Sequence, residues 1–172
     1  ADEVGLRRPD DPVTIGAGIE NEVLHQPFHG KADEVTIYNR PLTQPEIQSI
    51  VNAGLAGKFK TTDNGSRPFS LWKGEASAND SIGTNHGSAN NGTTYTAGFV
   101  GQSFSFDGGD DEVSVPDAAN LNFGTNSPMS IELWAYRTSS SVLQHMIGKR
   151  PGCTVDLPNY QIAYANSQVY FG

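Results

Sequence analysis

Two groups of residues in this chain have the types and spacing to do chemistry. The first is acidic. The stretch "FDGGDDEV", Phe106 to Val113, puts Asp107, Asp110 and Asp111 in one tight turn. The stretch "ASANDSIGTNHG", Ala76 to Gly87, sets Asp80 among Gly and Asn residues with many free backbone carbonyls. Asp33 and Glu34 open a third stretch, of alternating character. Calcium takes several oxygens of this kind, from carboxylates, amides, carbonyls and water. The competing reading is that Asp stands here because it favours turns and strand ends. The spacing is not that of an EF-hand loop.

The second group is aromatic. Trp134, Tyr136, Tyr160, Tyr164 and Tyr170 alternate toward one face of their segments, and Asn85, His86, Asn90 and Asn91 share a loop-like region. Aromatic rings against sugar faces, with amide side chains reaching hydroxyls, make lectin-like sites. Trp134, Tyr136, Asn85 and His86 are therefore the ligand-binding candidates. Aromatics on strands are equally at home in cores and cross-strand pairs, and Trp72 is expected in the core.

Catalysis finds little purchase. Glycoside hydrolysis needs paired carboxylates across the scissile bond, whereas Glu132 stands alone in "SIELWAY" and Glu112 follows a turn. No G-x-S-x-G, H-E-x-x-H or P-loop pattern occurs. His25, His29, His86 and His145 are scattered, with no zinc-ligand spacing. Cys153, the single cysteine, has no His–Asn partnership and reads as an inert thiol. The chain is expected not to be an enzyme.

The elements that must position these residues are mostly strands. The 172 residues suffice for one domain of ordinary size, and Gly 19 and Pro 10 imply many turns. Val13 to Ile15 reads as a short strand. From Asp33 to Tyr38 the pattern places Asp33, Val35 and Ile37 on one face and Glu34, Thr36 and Tyr38 on the other. Thr43 to Glu46 has capping-box spacing, Pro45 suits a first helical turn, and Ile47, Ile50 and Val51 form an apolar stripe before Gly54. One helix is thus expected over 44–53. Residues 58–67 are polar and turn-rich and read as a linker. After it the pattern is strands only: "FSLW", "GQSFSFDG", "DEVSVP", "MSIELWAY", and a closing hairpin of "NYQIAYA" and "QVYFG" turning at Asn166-Ser167. A net charge of −8 argues against nucleic acid, which needs a basic face. No apolar run approaches the roughly 20 residues of a helical membrane span.

Two blocks resemble the laminin-G-like jelly-roll domains of the concanavalin A-like lectin/glucanase superfamily. "FHGKADEVTIYNRPLTQPEIQSIVNAG", Phe28 to Gly54, is similar to that family's closing strand and helix, and Leu71 to Arg137 is similar to its opening half. The order is swapped, and the family's middle, with its Trp-His-Val strand, is not found. The resemblance implies an all-β, antiparallel two-sheet jelly-roll sandwich with one short helix. Residues 1–57 would be the closing segment, 58–67 the linker and 68–172 the opening segment, as one permuted domain or as parts of two tandem repeats. It further implies that the two segments pack together, within a chain or by strand exchange between chains. It implies a structural calcium, with Asp80 and Asp33 as first ligands, Asp107 next and Glu34 fourth. It also implies an extracellular or cell-surface location and a non-catalytic module that binds glycans or mediates adhesion. The alternatives are a ligand-free spacer repeat of a large surface protein and a glycoside hydrolase fragment.

Overall fold

The computed structural model describes residues 11–20, 23–56, 68–124, 126–139, 143–149 and 160–172. The linker expected at 58–67 and Cys153 lie outside the described residues. Among the described residues the chain is an all-β sandwich of antiparallel sheets with one short α-helix.

The six-stranded sheet is built from β1 (Val13–Ile15), β6 (Ser88–Asn90), β9 (Glu112–Val115), β11 (Leu143–Lys149), β12 (Tyr160–Ala165) and β13 (Gln168–Phe171), in the order β13-β12-β11-β1-β9-β6. The five-stranded sheet contains β4 (His29–Tyr38), β5 (Ser70–Trp72), β7 (Thr94–Ala97), β8 (Gln102–Asp107) and β10 (Ser130–Arg137). It runs β10-β4-β8-β7, with β5 also paired to β4. A small hairpin of β2 (Gly18–Glu20) and β3 (Val23–His25) stands apart. Strands from before residue 57 sit inside both sheets. β1 lies between β11 and β9, and β4 lies between β10 and the β8/β5 pair. The early segment and the later one therefore complete the same two layers.

The core between the layers follows from alternation. Val13 and Ile15 on β1, Val113 and Val115 on β9, and Phe104 and Phe106 on β8 all point inward, with Trp72 fully buried among them. At about 25 cal/mol per Å² of apolar surface removed from water, such burial is the main driving force for closing the layers.

β4 departs from the simple alternation. Glu34 has φ +52, and the register with β10 slips there: Glu132 opposes Thr36, but Trp134 opposes Asp33. Glu34 is thus the extra residue of a β-bulge. The bulge lets Ala32, Val35 and Ile37 all face the core. It also turns Asp33 to the opposite face. The expectation that Asp33 shares a face with Val35 and Ile37 is corrected by this one inserted residue, since a shift of one position exchanges faces.

The helix α1 (Gln44–Ala53) forms where expected. Glu46 Oε2 accepts hydrogen bonds from the Thr43 backbone N–H (2.8 Å) and the Thr43 hydroxyl (2.9 Å). Arg40 closes a bidentate pair on the same carboxylate at 2.9 and 2.7 Å. The apolar stripe is not buried against the core, however. Ile47 and Val51 remain 51% and 53% exposed, and Ile50 is half-buried. The closing hairpin turns at Asn166-Ser167, both with positive φ (48 and 67), the backbone of a type I′ turn.

Candidate functional site

The outer face of the five-stranded sheet carries a groove of about 360 Å³, lined chiefly by Phe99, Trp134, Tyr136, Lys31, Asp33 and Ser103. The strand register assembles it. Because Ala32 and Phe104 point into the core, their neighbours Lys31, Asp33, Ser103 and Ser105 point out. Tyr136 opposes Lys31, Lys31 opposes Ser105, and Ser105 opposes Thr94, so these four side chains form one row across four strands. Trp134 opposes Asp33 and Ser103 opposes Thr96, which begins a second row beside it.

The β7–β8 turn closes one end of the groove. Gly98 N–H donates to Gly101 O at 3.0 Å, and the Val100 N–H donates to Asp33 Oδ2 at 2.7 Å. Asp33, only 2% exposed, thus holds the turn down. A side chain at Gly98 would not fit, since its Cβ would lie 2.6 Å from Asp33 Oδ2. From this turn Phe99 reaches Trp134, with ring centroids 4.4 Å apart and planes inclined by 38°. Lys31 Nζ donates to Ala97 O at 2.9 Å, fixing its ammonium beside the turn. At the other end, β10 approaches β4 so closely that a Cβ at Gly30 would lie 2.1 Å from Tyr136 O. Tyr136 stands 65% exposed and Phe99 42% exposed. The groove therefore offers aromatic surface, one cation and one carboxylate whose Oδ2 is bonded to the turn, while the Ser103 hydroxyl beneath it is buried.

The structure sets Trp134 and Tyr136 on the same face of β10, with Asp33 opposite Trp134 and Lys31 opposite Tyr136 on the neighbouring strand. Phe99, Lys31 and Ser103 were not singled out from the sequence. An exposed Phe in the glycine-rich turn "AGFVGQ" was the signal available for the first of these. Asn85 and His86 do not line this groove. Asn85 is buried; its Nδ2 donates to Ser70 Oγ at 2.7 Å, and its carbonyl accepts from Trp72 Nε1 at 2.8 Å. His86 is exposed on the same loop. Of the remaining aromatics, Tyr160 is buried against Phe123 (5.6 Å between centroids), Arg137 lies over the Tyr164 ring at 3.7 Å, and Tyr170 is exposed on β13.

Of the four residues expected at calcium, Asp33 and Glu34 are consecutive on β4, while Asp107 ends β8 and Asp80 lies in the loop after β5. Asp80 is buried, and its Oδ1 accepts from the N–H groups of Leu71, Ile82 and Gly83 at 2.9–3.0 Å. Its Oδ2 accepts from Asn85 N–H at 3.2 Å. This carboxylate organises its own loop, the work that an Asp in a turn does. Asp107 pairs with His29, four residues along β4 from Asp33, which is about 13 Å at the usual rise per residue. Asp107 Oδ1 accepts from Gly109 N–H at 2.7 Å. Glu34 is buried at the bulge. Among the described residues no three His, Cys, Asp or Glu side chains gather closely enough to hold a metal ion.

Two further acids carry perturbed protonation. Burial pushes the carboxyls of Asp111 and Glu112 above their ordinary range. For Asp111 the nearby charges of Asp107 and Asp110 add to this, and the Asp107 N–H, donated to it at 2.8 Å, opposes it. For Glu112 the opposing contribution is a hydrogen bond from Asn90.

No family model, no curated protein and no solved structure matches this chain. What fold and site define is the class: an all-β sandwich with an aromatic groove on one outer sheet face. No described helix is long and apolar enough to cross a membrane.

Proposed function

We propose that this chain is a non-catalytic carbohydrate-binding module, and that the groove of Phe99, Trp134 and Tyr136 is where the sugar sits. The observation that carries the reading is the exposed aromatic surface set directly beside a row of outward hydroxyls and a tethered lysine. Sugars present alternating C–H faces and hydroxyl rims, and such sites pair aromatic rings with a few placed polar groups. Asp33 is the one carboxylate among the residues lining the groove, which leaves the general acid–base pair of a glycosidase without its second member there. The resemblance to laminin-G-like jelly rolls points the same way, toward attachment at a cell surface or outside the cell.

The test is glycan-array binding followed by titration calorimetry on the best ligand. Trp134→Ala and Tyr136→Ala should each weaken binding at least about tenfold, or ~1.4 kcal/mol, while leaving the far-UV spectrum unchanged. Undiminished affinity in both variants would remove the groove from the account.

Calcium is tested separately. The expected structural calcium, with Asp80, Asp33, Asp107 and Glu34 as its ligands, predicts a melting temperature that falls when a chelator is added. A ligand bound only by the folded form raises stability by mass action, so an unchanged melting temperature on chelation would remove the ion from the account.

A second reading, a spacer repeat of a larger surface protein, draws on the flank where α1 and β13 leave apolar side chains uncovered. A glycan array silent under all conditions favours it.

A further inference from the structure

We infer that the groove takes a neutral, linear polysaccharide, gripped by internal units and lying across the strands rather than along them. This rests on the carbohydrate reading and adds the ligand class and its direction.

The direction comes from the register. The row Tyr136–Lys31–Ser105–Thr94 runs perpendicular to the strands, and four strands spaced about 4.8 Å apart give it a length of roughly 14 Å. The aromatic surface lies at one end of that row, on β10 and the β7–β8 turn. The hydroxyls of Ser105 and Thr94 continue it past the groove proper. A single sugar ring would fill the aromatic end and leave the hydroxyl end unused. A chain of several units would meet both. Along β10, by contrast, the next position on this face after Tyr136 is Thr138, whose hydroxyl is already donated to His29 O at 3.0 Å.

Internal rather than terminal recognition follows from the shape. Tyr136 is 65% exposed and Thr94 is also exposed, so neither end of the row is walled off. A chain end needs a closed pocket to distinguish it from an interior unit, and nothing in the row supplies one.

Neutrality follows from charge. The chain carries −8 overall. The row contributes one ammonium, Lys31, already bonded to Ala97 O, and the groove contributes the Asp33 carboxylate beside it. A uronic or sulfated polymer would meet no surplus of positive charge locally and a repulsive field at distance.

The experiment is calorimetric titration of the intact chain with cello-, xylo- and malto-oligosaccharides of one to six units, and with polygalacturonate and heparin. Affinity should rise at least tenfold between two and four units in one neutral series and then level off. The anionic polymers should bind at least tenfold more weakly. The double variant Thr94→Ala/Ser105→Ala should lower tetrasaccharide affinity several-fold and leave disaccharide affinity unchanged. A monosaccharide as good as the tetramer, or a preference for the anionic polymers, would overturn this inference while leaving sugar binding intact. Absence of binding to every oligosaccharide and polymer would overturn the carbohydrate reading along with it.

Discussion

Two regions of this molecule leave large apolar side chains in water, and they differ in what surrounds them. Around Trp134 the exposed rings stand among polar groups held in fixed places: Lys31 on Ala97 O, Asp33 on the Val100 N–H, and Ser103 and Ser105 on the sheet. On the flank formed by α1 and β13 the lining is mostly aliphatic. A cavity of about 420 Å³ there is bordered by Leu42, Ile47, Ile50, Val51 and Phe171 together with Ser130–Trp134 of β10, so Trp134 borders both regions. Mixed aromatic and polar surface suits a ligand that is itself half polar, such as a sugar. Predominantly apolar exposed surface marks contact with other apolar surface. The flank has a structural cause as well. Val169 and Phe171 oppose Tyr164 and Ile162, so they lie on the inner side of β13. They stay 66% and 62% exposed because the six-stranded sheet extends past the edge of its partner layer.

The largest test of this contrast is aimed at what supports the groove. Asp80 ties the end of β5 to its own loop, and β5 pairs with β4 immediately beyond the bulge that directs Asp33 outward. Asp80→Ala leaves several backbone N–H groups without their acceptor. It should cost about 3 kcal/mol in urea unfolding and weaken glycan binding, since β4 loses its neighbour. A loss below about 1 kcal/mol would show that water replaces the carboxylate and that the groove does not depend on this loop.

A smaller effect is expected at Glu112, away from both regions. Its folded pKa lies above its unfolded one because burial disfavours the charge. Its ionisation therefore costs stability at neutral pH. That cost fades as pH falls through the folded pKa and is gone below the unfolded pKa. Glu112→Gln should raise the melting temperature at pH 7, with the gain shrinking on acidification and with no change at the groove. A variant less stable than the parent at pH 7 would contradict the burial argument.

The smallest effect belongs to the flank. Ile47→Ser with Val51→Ser should change stability by no more than about 0.5 kcal/mol per site, because both side chains are already half in water. Glycan affinity should stay the same. Sedimentation should show less self-association than in the parent. If the variant instead loses sugar binding, the two regions are coupled and the contrast fails.

Much of this was legible beforehand. The strands at Val13–Ile15, Gln102–Asp107, Glu112–Val115 and Ser130–Arg137 announce themselves by β-branched and aromatic alternation, and α1 by its Thr43–Glu46 spacing. Strands β6 and β7 were not legible, because Ser88–Asn90 and Thr94–Ala97 hold residues equally suited to turns. β11 was hidden by Gln144 and His145, which are buried on a strand where alternation predicts apolar residues. Gln144 is accommodated by accepting the His29 N–H at 3.2 Å, a contact 115 residues away in sequence that no local pattern contains. Trp134 and Tyr136 could be nominated from their strand, but Phe99 could not be joined to them without the β7–β8 turn folded over Asp33.

The sequence by itself determined the β character and the helix with its cap, because alternation, turn chemistry and capping are local; which early strand pairs with which late one is set by the tertiary fold. Tertiary structure decided where each acid stands and what it bonds. Asp80 and Asp33 look alike in sequence, yet one accepts three backbone N–H groups of its own loop and that of Leu71 on β5, while the other is carried by a bulge to an outer face beside two aromatic rings. Register and burial, which depend on partners far along the chain, separate a carboxylate that builds a turn from one that borders a groove.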